Sequence, residues 1–189
     1  VKTGARLHIL HLSTAKEMSL FSDVPVCDKT ITAEVCVHHL WFDNRDYAKK
    51  GSFIKWNPAI KSPDDRIALL KALKNGRIDV VATDHAPHTR EEKMHSYTKT
   101  PSGGPLVQHG LIAMMELVKS KHLSLEMIVE KMSHNPARLF RINKRGFIKE
   151  GFYADLVLIN PKDAWQVSKD NIRYKCGWSP FEGDIFNSK

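Results

Sequence analysis

Short apolar runs alternate along this chain with polar loops and with segments of helical period. Ala5 to Leu12 is apolar and β-favouring, with His8 and His11 set inside it; Thr14-Ala-Lys-Glu17 then reads as a capping box opening a short helix to about Phe21. Ile31 to Val37 predicts a second buried strand ending in His38-His39, and Ser52 to Trp56 a third ending at Asn57-Pro58. Ser62-Pro63-Asp64-Asp65 is a helix start: an N-cap, a proline in the first turn and two carboxylates facing the dipole. Ile67, Leu69, Leu70 and Leu73 continue that helix to Asn75-Gly76. Asp79 to Thr83 predicts a fourth strand, followed at once by Asp84-His85-Ala86-Pro87-His88. Helices are expected at Leu106–Ser120 and Ser124–Met132, with one more turn at Asn135-Pro136. Strand and helix in alternation imply an α/β chain with a parallel sheet. Near Gly146 the texture changes: Phe147-Ile148, the turn at Glu150-Gly151 and Ala154 to Ile159 read as short strands of a small β unit. Trp165 to Lys189 shows no clear period.

Composition narrows the class. The chain has 189 residues, 42% of them hydrophobic and 26% charged, which describes a globular protein with a sizeable core. No apolar run approaches the ~20 residues of a membrane helix, and VKTGARLHIL lacks the layout of a signal peptide. No membrane partner is therefore expected. Lys and Arg number 29 against 21 acidic residues, a net charge of +8 that invites a nucleic-acid reading. The basic residues are scattered singly and in pairs such as Lys49-Lys50, so a solvated surface is the simpler account and no nucleic-acid partner is expected. Cys27, Cys36 and Cys176 form no CxxC and leave one unpaired, which argues for a reducing, cytoplasmic setting. With ten histidines, any metal would be held by imidazole and carboxylate.

All four expected strands end in polar groups: His11, His38-His39, Asn57 and Asp84. Ligands bind at the carboxyl ends of strands in parallel α/β proteins. Taken singly, His11 reads as a hydrogen-bonded core histidine and Asp84 equally well as a cap. Strand alternation sends His38 and His39 to opposite faces, so at most one can face a common site. The same argument turns His8 away from His11, as a structural residue. His85 and His88 read as loop groups; His95, His109, His122 and His134 give no motif. Together, two imidazoles and a carboxylate at three strand ends make a standard shell for Zn²⁺. Such an ion lowers the pKa of bound water to roughly 7, and a carboxylate beside it can pass a proton to a leaving nitrogen. The chemistry that suits this set is hydrolysis of an amide or related C–N bond.

The words at those strand ends resemble the dihydroorotases of the amidohydrolase superfamily. They are His11-Leu-Ser-Thr14, Thr32-Ala-Glu-Val-Cys-Val-His38-His39-Leu40, Lys55-Trp-Asn57-Pro58 and above all Ala82-Thr-Asp84-His-Ala-Pro-His88-Thr, with Glu91-Glu92-Lys93 and Pro101-Ser-Gly103-Gly104 behind. Ser133-His-Asn-Pro-Ala-Arg-Leu139 and Gly151-Phe-Tyr-Ala-Asp155-Leu-Val-Leu158 resemble the exit from that family's barrel into a small β domain. The resemblance implies the C-terminal half, strands five to eight, of a TIM-like (β/α)₈ barrel over residues 1–143, then the start of a small β domain over 144–189. It implies two Zn²⁺ ions per complete site, with His11 and His38 as ligands of the second and Asp84 as ligand of the first and catalytic acid/base. Asn57, His88, Ser102 and Gly103 would hold the substrate. The implied reaction interconverts dihydroorotate and N-carbamoyl-L-aspartate in pyrimidine biosynthesis, in a homo-oligomer when full length. That family's first strand carries a His-x-His that this chain does not contain, so the chain by itself is expected to be inactive. A relative acting on another ring, allantoinase- or dihydropyrimidinase-like, and a non-catalytic amidohydrolase-like subunit are the competing readings.

Overall fold

The computed structural model describes residues 3–189. Three parallel strands form its principal sheet: β1 (Leu7–Ile9), β2 (Ile31–Cys36) and β3 (Val80–Ala82), in that spatial order. His8 pairs with Thr32 across β1 and β2, and Glu34 with Val80 across β2 and β3. The central strand is buried on both faces from Thr32 onward, as a strand covered on two sides must be. Its alternation puts Thr32, Glu34 and Cys36 on one face and Ala33 and Val35 on the other.

The expected third strand does not form. Tyr47–Lys50 makes one helical turn, Gly51 follows at a φ of 53°, and Gly51–Ile54 is a 3₁₀ turn. The Lys55 carbonyl, instead of joining a ladder, accepts from the Gly103 N–H at 2.9 Å and the Lys93 ammonium at 3.3 Å. Only Phe53 and Ile54 are consecutive apolar residues there, too few to compete with those bonds. Pro63–Lys74 is the helix its sequence announces, with Ser62 and Asp65 closing a reciprocal capping box and Leu69, Leu70 and Leu73 buried; Ile67 faces solvent instead. The later helices begin and end differently from expectation. Gly110–Lys119 starts one turn late, and Leu125–Val129 runs through a π-helical turn, Glu130–His134, into Asn135–Leu139.

The two ends of the C-terminal segment surprise in opposite senses. Phe147-Ile148 and Ala154–Ile159 form no strand, although the turn between them closes through Phe152 N–H to Lys149 C=O at 3.0 Å. The aperiodic stretch after Trp165 does contain a sheet: β4 (Trp165–Gln166) pairs antiparallel with β5 (Ile185–Phe186). Val167, Phe181 and Phe186 from this clasp join the same apolar core as Val35, Leu69 and Met114. The architecture is thus an α/β fold with a small additional β-sheet. Among the described residues no helix is long and apolar enough to cross a membrane.

Candidate active site

The carboxyl ends of β1 and β3 are bent to one purpose. His11 lies two residues beyond β1 at a φ of 57°, and Asp84 two residues beyond β3 at a φ of 45°. Left-handed backbone at a non-glycine residue is disfavoured, by roughly 1–3 kcal/mol, and two such residues here face each other. His11 Nε2 and Asp84 Oδ1 stand 3.8 Å apart. That is too long for a hydrogen bond. Tetrahedral ligands held ~2.0–2.2 Å from one zinc ion stand roughly 3.3–3.6 Å apart, so the pair is close together but slightly wider than a single shared ion would set.

Two residues that the sequence reading passed over complete the His11 side. Glu34 Oε1 lies 2.9 Å from His11 Nδ1, and its other oxygen 3.3 Å from His8 Nε2. His8 Nδ1 in turn meets Thr32 Oγ1 at 2.8 Å. The expectation that His8 points away from His11 is therefore wrong. Alternation holds only inside a strand, and the left-handed turn at His11 swings its ring back over the face that carries Glu34. Cys36 Sγ approaches His11 Nδ1 at 3.0 Å. Burial, with the nearby Glu34 and Asp84 charges, pushes the Cys36 thiol far up, so it stays protonated unless a cation offsets them.

His38 and His39 are also not on opposite faces of a strand. Both sit in the helical turn Val37–Trp41, their rings 4.2 Å apart and both buried. His38 stacks flat on Trp56 with centroids at 4.3 Å, and neither of its ring nitrogens has a hydrogen-bond partner. His39 faces the Pro58 carbonyl through Nε2 at 3.0 Å, which places a proton there and leaves Nδ1 unpartnered. Burial drives the His38 pKa well below the usual histidine value and pushes His39 down to about 4. Both imidazoles are neutral at pH 7, the form that ligates metals. Among the described residues two sets of three donors have all their ligand atoms within 4.8 Å of one another: Cys36, His38 and His39; and His11, Glu34 and Cys36. Asp84 is in neither set, but it reaches His11. Orphaned nitrogens on the fully buried ring of His38, with the Cys36 thiol and the His39 imidazole as neighbouring donors, fit a zinc ion.

The residues expected to meet substrate cluster on the adjoining loops. His88 Nε2 donates to the Ser102 carbonyl at 3.0 Å, and Asn57 is exposed just before a cis bond to Pro58. Gly103 has a φ of 117°, and a Cβ there would lie 2.6 Å from the Ala86 carbonyl oxygen. Only glycine lets the 101–104 loop approach the β3 end so closely. Lys93, wholly buried, ties this loop down: its ammonium donates to the carbonyls of Gly103 at 2.8 Å and Pro101 at 3.0 Å. Burial, with Lys55 nearby, lowers its pKa to about 8. His85 has a structural part, its Nδ1 accepting from the Leu106 and Val107 N–H groups.

Histidines and a carboxylate converging at the ends of parallel strands define the class of metal-dependent hydrolases. Residues 3–182 match the amidohydrolase family, and the chain belongs to it. Among its relatives, the dihydroorotase of Clostridioides difficile (strain 630) is 38% identical over 190 residues, covering 100% of this chain and 44% of that protein. The dihydroorotase of Halobacterium salinarum is 38% identical, covering 97% of this chain and 42% of the relative. By shape, the L-hydantoinase (dihydropyrimidinase) of Arthrobacter aurescens superposes with a TM-score of 0.91 at 28% identity, over 99% of this chain and 43% of the other. The dihydropyrimidinase of Brevibacillus agri NCHU1002 gives 0.87 at 26% identity, over 100% and 43%. The chain thus spans less than half the length of the relatives it matches.

Proposed function

We propose that this chain carries one half of the active site of a metal-dependent cyclic amidohydrolase, with His11, His38 and Asp84 as its contribution to a zinc site of two ions. The observation that supports this most is the His11–Asp84 pair, held at 3.8 Å by two left-handed residues beside the unpartnered imidazole of His38. Zinc, when bound, would acidify water and polarise a ring carbonyl. The work of the chain's own residues is positional and protonic. His88, with the Ser102–Gly103 backbone and Asn57, orients the ring. Asp84 takes a proton from the attacking water and delivers it to the ring nitrogen as the C–N bond breaks. Water adds to the carbonyl carbon and the opened product is a carboxylate with a free ureido group.

Dihydroorotate and N-carbamoyl-L-aspartate are the substrate pair we favour, because the similar curated proteins are dihydroorotases. On this reading the full-length protein would serve pyrimidine biosynthesis, and a cytoplasmic setting and a homo-oligomer belong to the same proposal. Shape supports a second ring class, since the solved relatives include hydantoinases. Assaying the full-length protein that contains this chain on dihydroorotate and on hydantoin decides between them. Asp84→Asn should lower kcat by ~10²–10⁴ on the true substrate; a loss under tenfold would remove Asp84 from catalysis. His38→Ala should abolish zinc-dependent turnover and His39→Ala should spare it, and the reverse result would move the ligand to His39. The isolated chain should bind zinc weakly and turn nothing over.

A further inference from the structure

We propose that Lys93 is a positioning residue: its ammonium fastens the 101–104 loop to the 55–57 turn, so that the Ser102 N–H and Asn57 meet one substrate in fixed relation. The clamp stands on the contacts alone; the ring it serves rests on the function proposed above. Lys93 closes the short helix Arg90–Lys93, which Thr89 and Glu92 cap reciprocally, and the Ser52 hydroxyl donates to its carbonyl. Its side chain is wholly buried. The ammonium donates to the carbonyls of Gly103 at 2.8 Å, Pro101 at 3.0 Å and Lys55 at 3.3 Å. An ammonium carries three donors and no acceptor, so each proton has one carbonyl. A neutral amine would turn a lone pair on one of them. With its pKa lowered to about 8 by burial and by Lys55, the side chain remains charged at pH 7.

Among the described residues no carboxylate pairs with this cation, and the charge that bears on it is the like charge of Lys55. A buried cation held only by carbonyl dipoles is a costly way to fill space, and an apolar side chain would do so at less cost. What the ammonium adds is direction. The Pro101–Ser102 peptide is trans, so with its oxygen on Lys93 its N–H points the opposite way. The Gly103 N–H donates to the Lys55 carbonyl at 2.9 Å, and the Ser102 carbonyl accepts from His88 at 3.0 Å. Among the described residues neither the Ser102 N–H nor the Asn57 side chain, two residues beyond Lys55, is bonded to the protein. The clamp therefore consumes the backbone groups around these two and leaves them for a ligand.

Nitrogen-15 spectra of this chain at pH 7 test the clamp. The Lys93 ε-nitrogen should read as a charged ammonium shielded from exchange, and a neutral or freely exchanging amine overturns the proposal. Lys93→Met should speed exchange of the Gly103 amide at least about tenfold, with the Pro63–Lys74 amides unchanged. Lys93→Gln, which keeps two donors, should fall between. An unchanged Gly103 rate in both variants overturns the proposal. If Lys93→Met also exposes the Pro63–Lys74 amides it has unfolded, and Lys93→Gln with the ammonium signal then decides. The second arm uses the full-length protein that contains this chain, on dihydroorotate and on hydantoin. Lys93→Met should raise KM about tenfold with kcat within about threefold, and Lys93→Gln should recover part of the loss. A faster-exchanging loop with unchanged KM would make Lys93 merely structural and overturn its positioning role. If the unsubstituted protein opens neither ring, the functional reading falls, and the spectra still decide the clamp.

Discussion

Residues 147–159 and residues 165–189 are both rich in large apolar side chains, and the fold treats them oppositely. Ile148 and Leu158 are 92% and 97% exposed, whereas Phe181 and Phe186 are completely buried. The difference lies in the backbone. Apolar side chains can be buried only if the polar chain that carries them finds partners. The clasp finds them: β4 pairs with β5, Asn160 and Lys189 exchange both N–H···O bonds, and the Glu116 carboxylate holds Asn187. Tyr174 accepts from the Gln108 and His109 N–H groups and shares His109 Nδ1 with Ser179. The 147–159 stretch has its Lys149–Phe152 turn, the Tyr153 and Leu156 N–H bonds to the Lys144 and Ala154 carbonyls and the Arg145–Asp155 pair, but no strand to lie beside. The clasp also reaches the candidate site, because the Trp178 indole donates to the His88 carbonyl at 2.8 Å.

Removing a ring from the clasp should produce the largest stability effect. Phe181→Ala deletes a wholly buried side chain packed against Phe42, Trp41 and Phe186 and should cost about 3–5 kcal/mol. Chemical denaturation followed by tryptophan fluorescence measures it, and a loss below about 1 kcal/mol would mean that the clasp is only an appendage. The next effect is a pH dependence. Burial among Trp165, Tyr174, Phe181 and Phe186 pushes the His109 pKa down to about 4, with no charged group among the described residues contributing to the shift. The unfolded chain, whose histidine titrates near 6.5, therefore takes up the proton first. This contribution is complete above pH ~6.5, is lost progressively as pH falls to about 4, and is level below that. Its size should be on the order of 1–3 kcal/mol, visible as a steeper acid loss in the unsubstituted chain than in His109→Gln. Equal slopes would show that the clasp opens to solvent at this histidine.

The comparison also separates what local sequence can state from what it cannot. Pro63–Lys74 was legible because its N-cap, proline, first-turn carboxylates and terminal Asn75-Gly76 are all local. β1, β2 and β3 were legible as apolar runs, and so was the position of His11 and Asp84 just beyond the ends of two of them. Ser52–Trp56 was misread because its carbonyl is claimed by Lys93 and Gly103, some forty residues distant. β4 and β5 were invisible because two-residue strands have no period, and only pairing across the clasp creates them. Glu34 and Cys36 had a signal that went unused: with Thr32 they put three polar groups at period two on one face of an otherwise apolar strand. The helical turn that joins His38 to His39 had none, since Val37 continues the β-branched run without a break.

The smallest expected effect bears on the other arm of the comparison. Leu158 projects into solvent and adds nothing to the core, so Leu158→Lys should change unfolding free energy by no more than about 0.5 kcal/mol in this chain. The same substitution at Phe186, whose ring meets Trp41, Trp165 and Phe181, would bury a charge with no partner. If Leu158→Lys instead cost 2 kcal/mol or more, the 147–159 segment would have to be packed in solution. The contrast between the two regions would then reduce to their different strand pairing, and the argument that a backbone without a strand partner keeps its side chains in water would fail for this segment. A null result together with a large Phe181→Ala loss would establish that apolar character alone does not decide which of the two stretches joins the core.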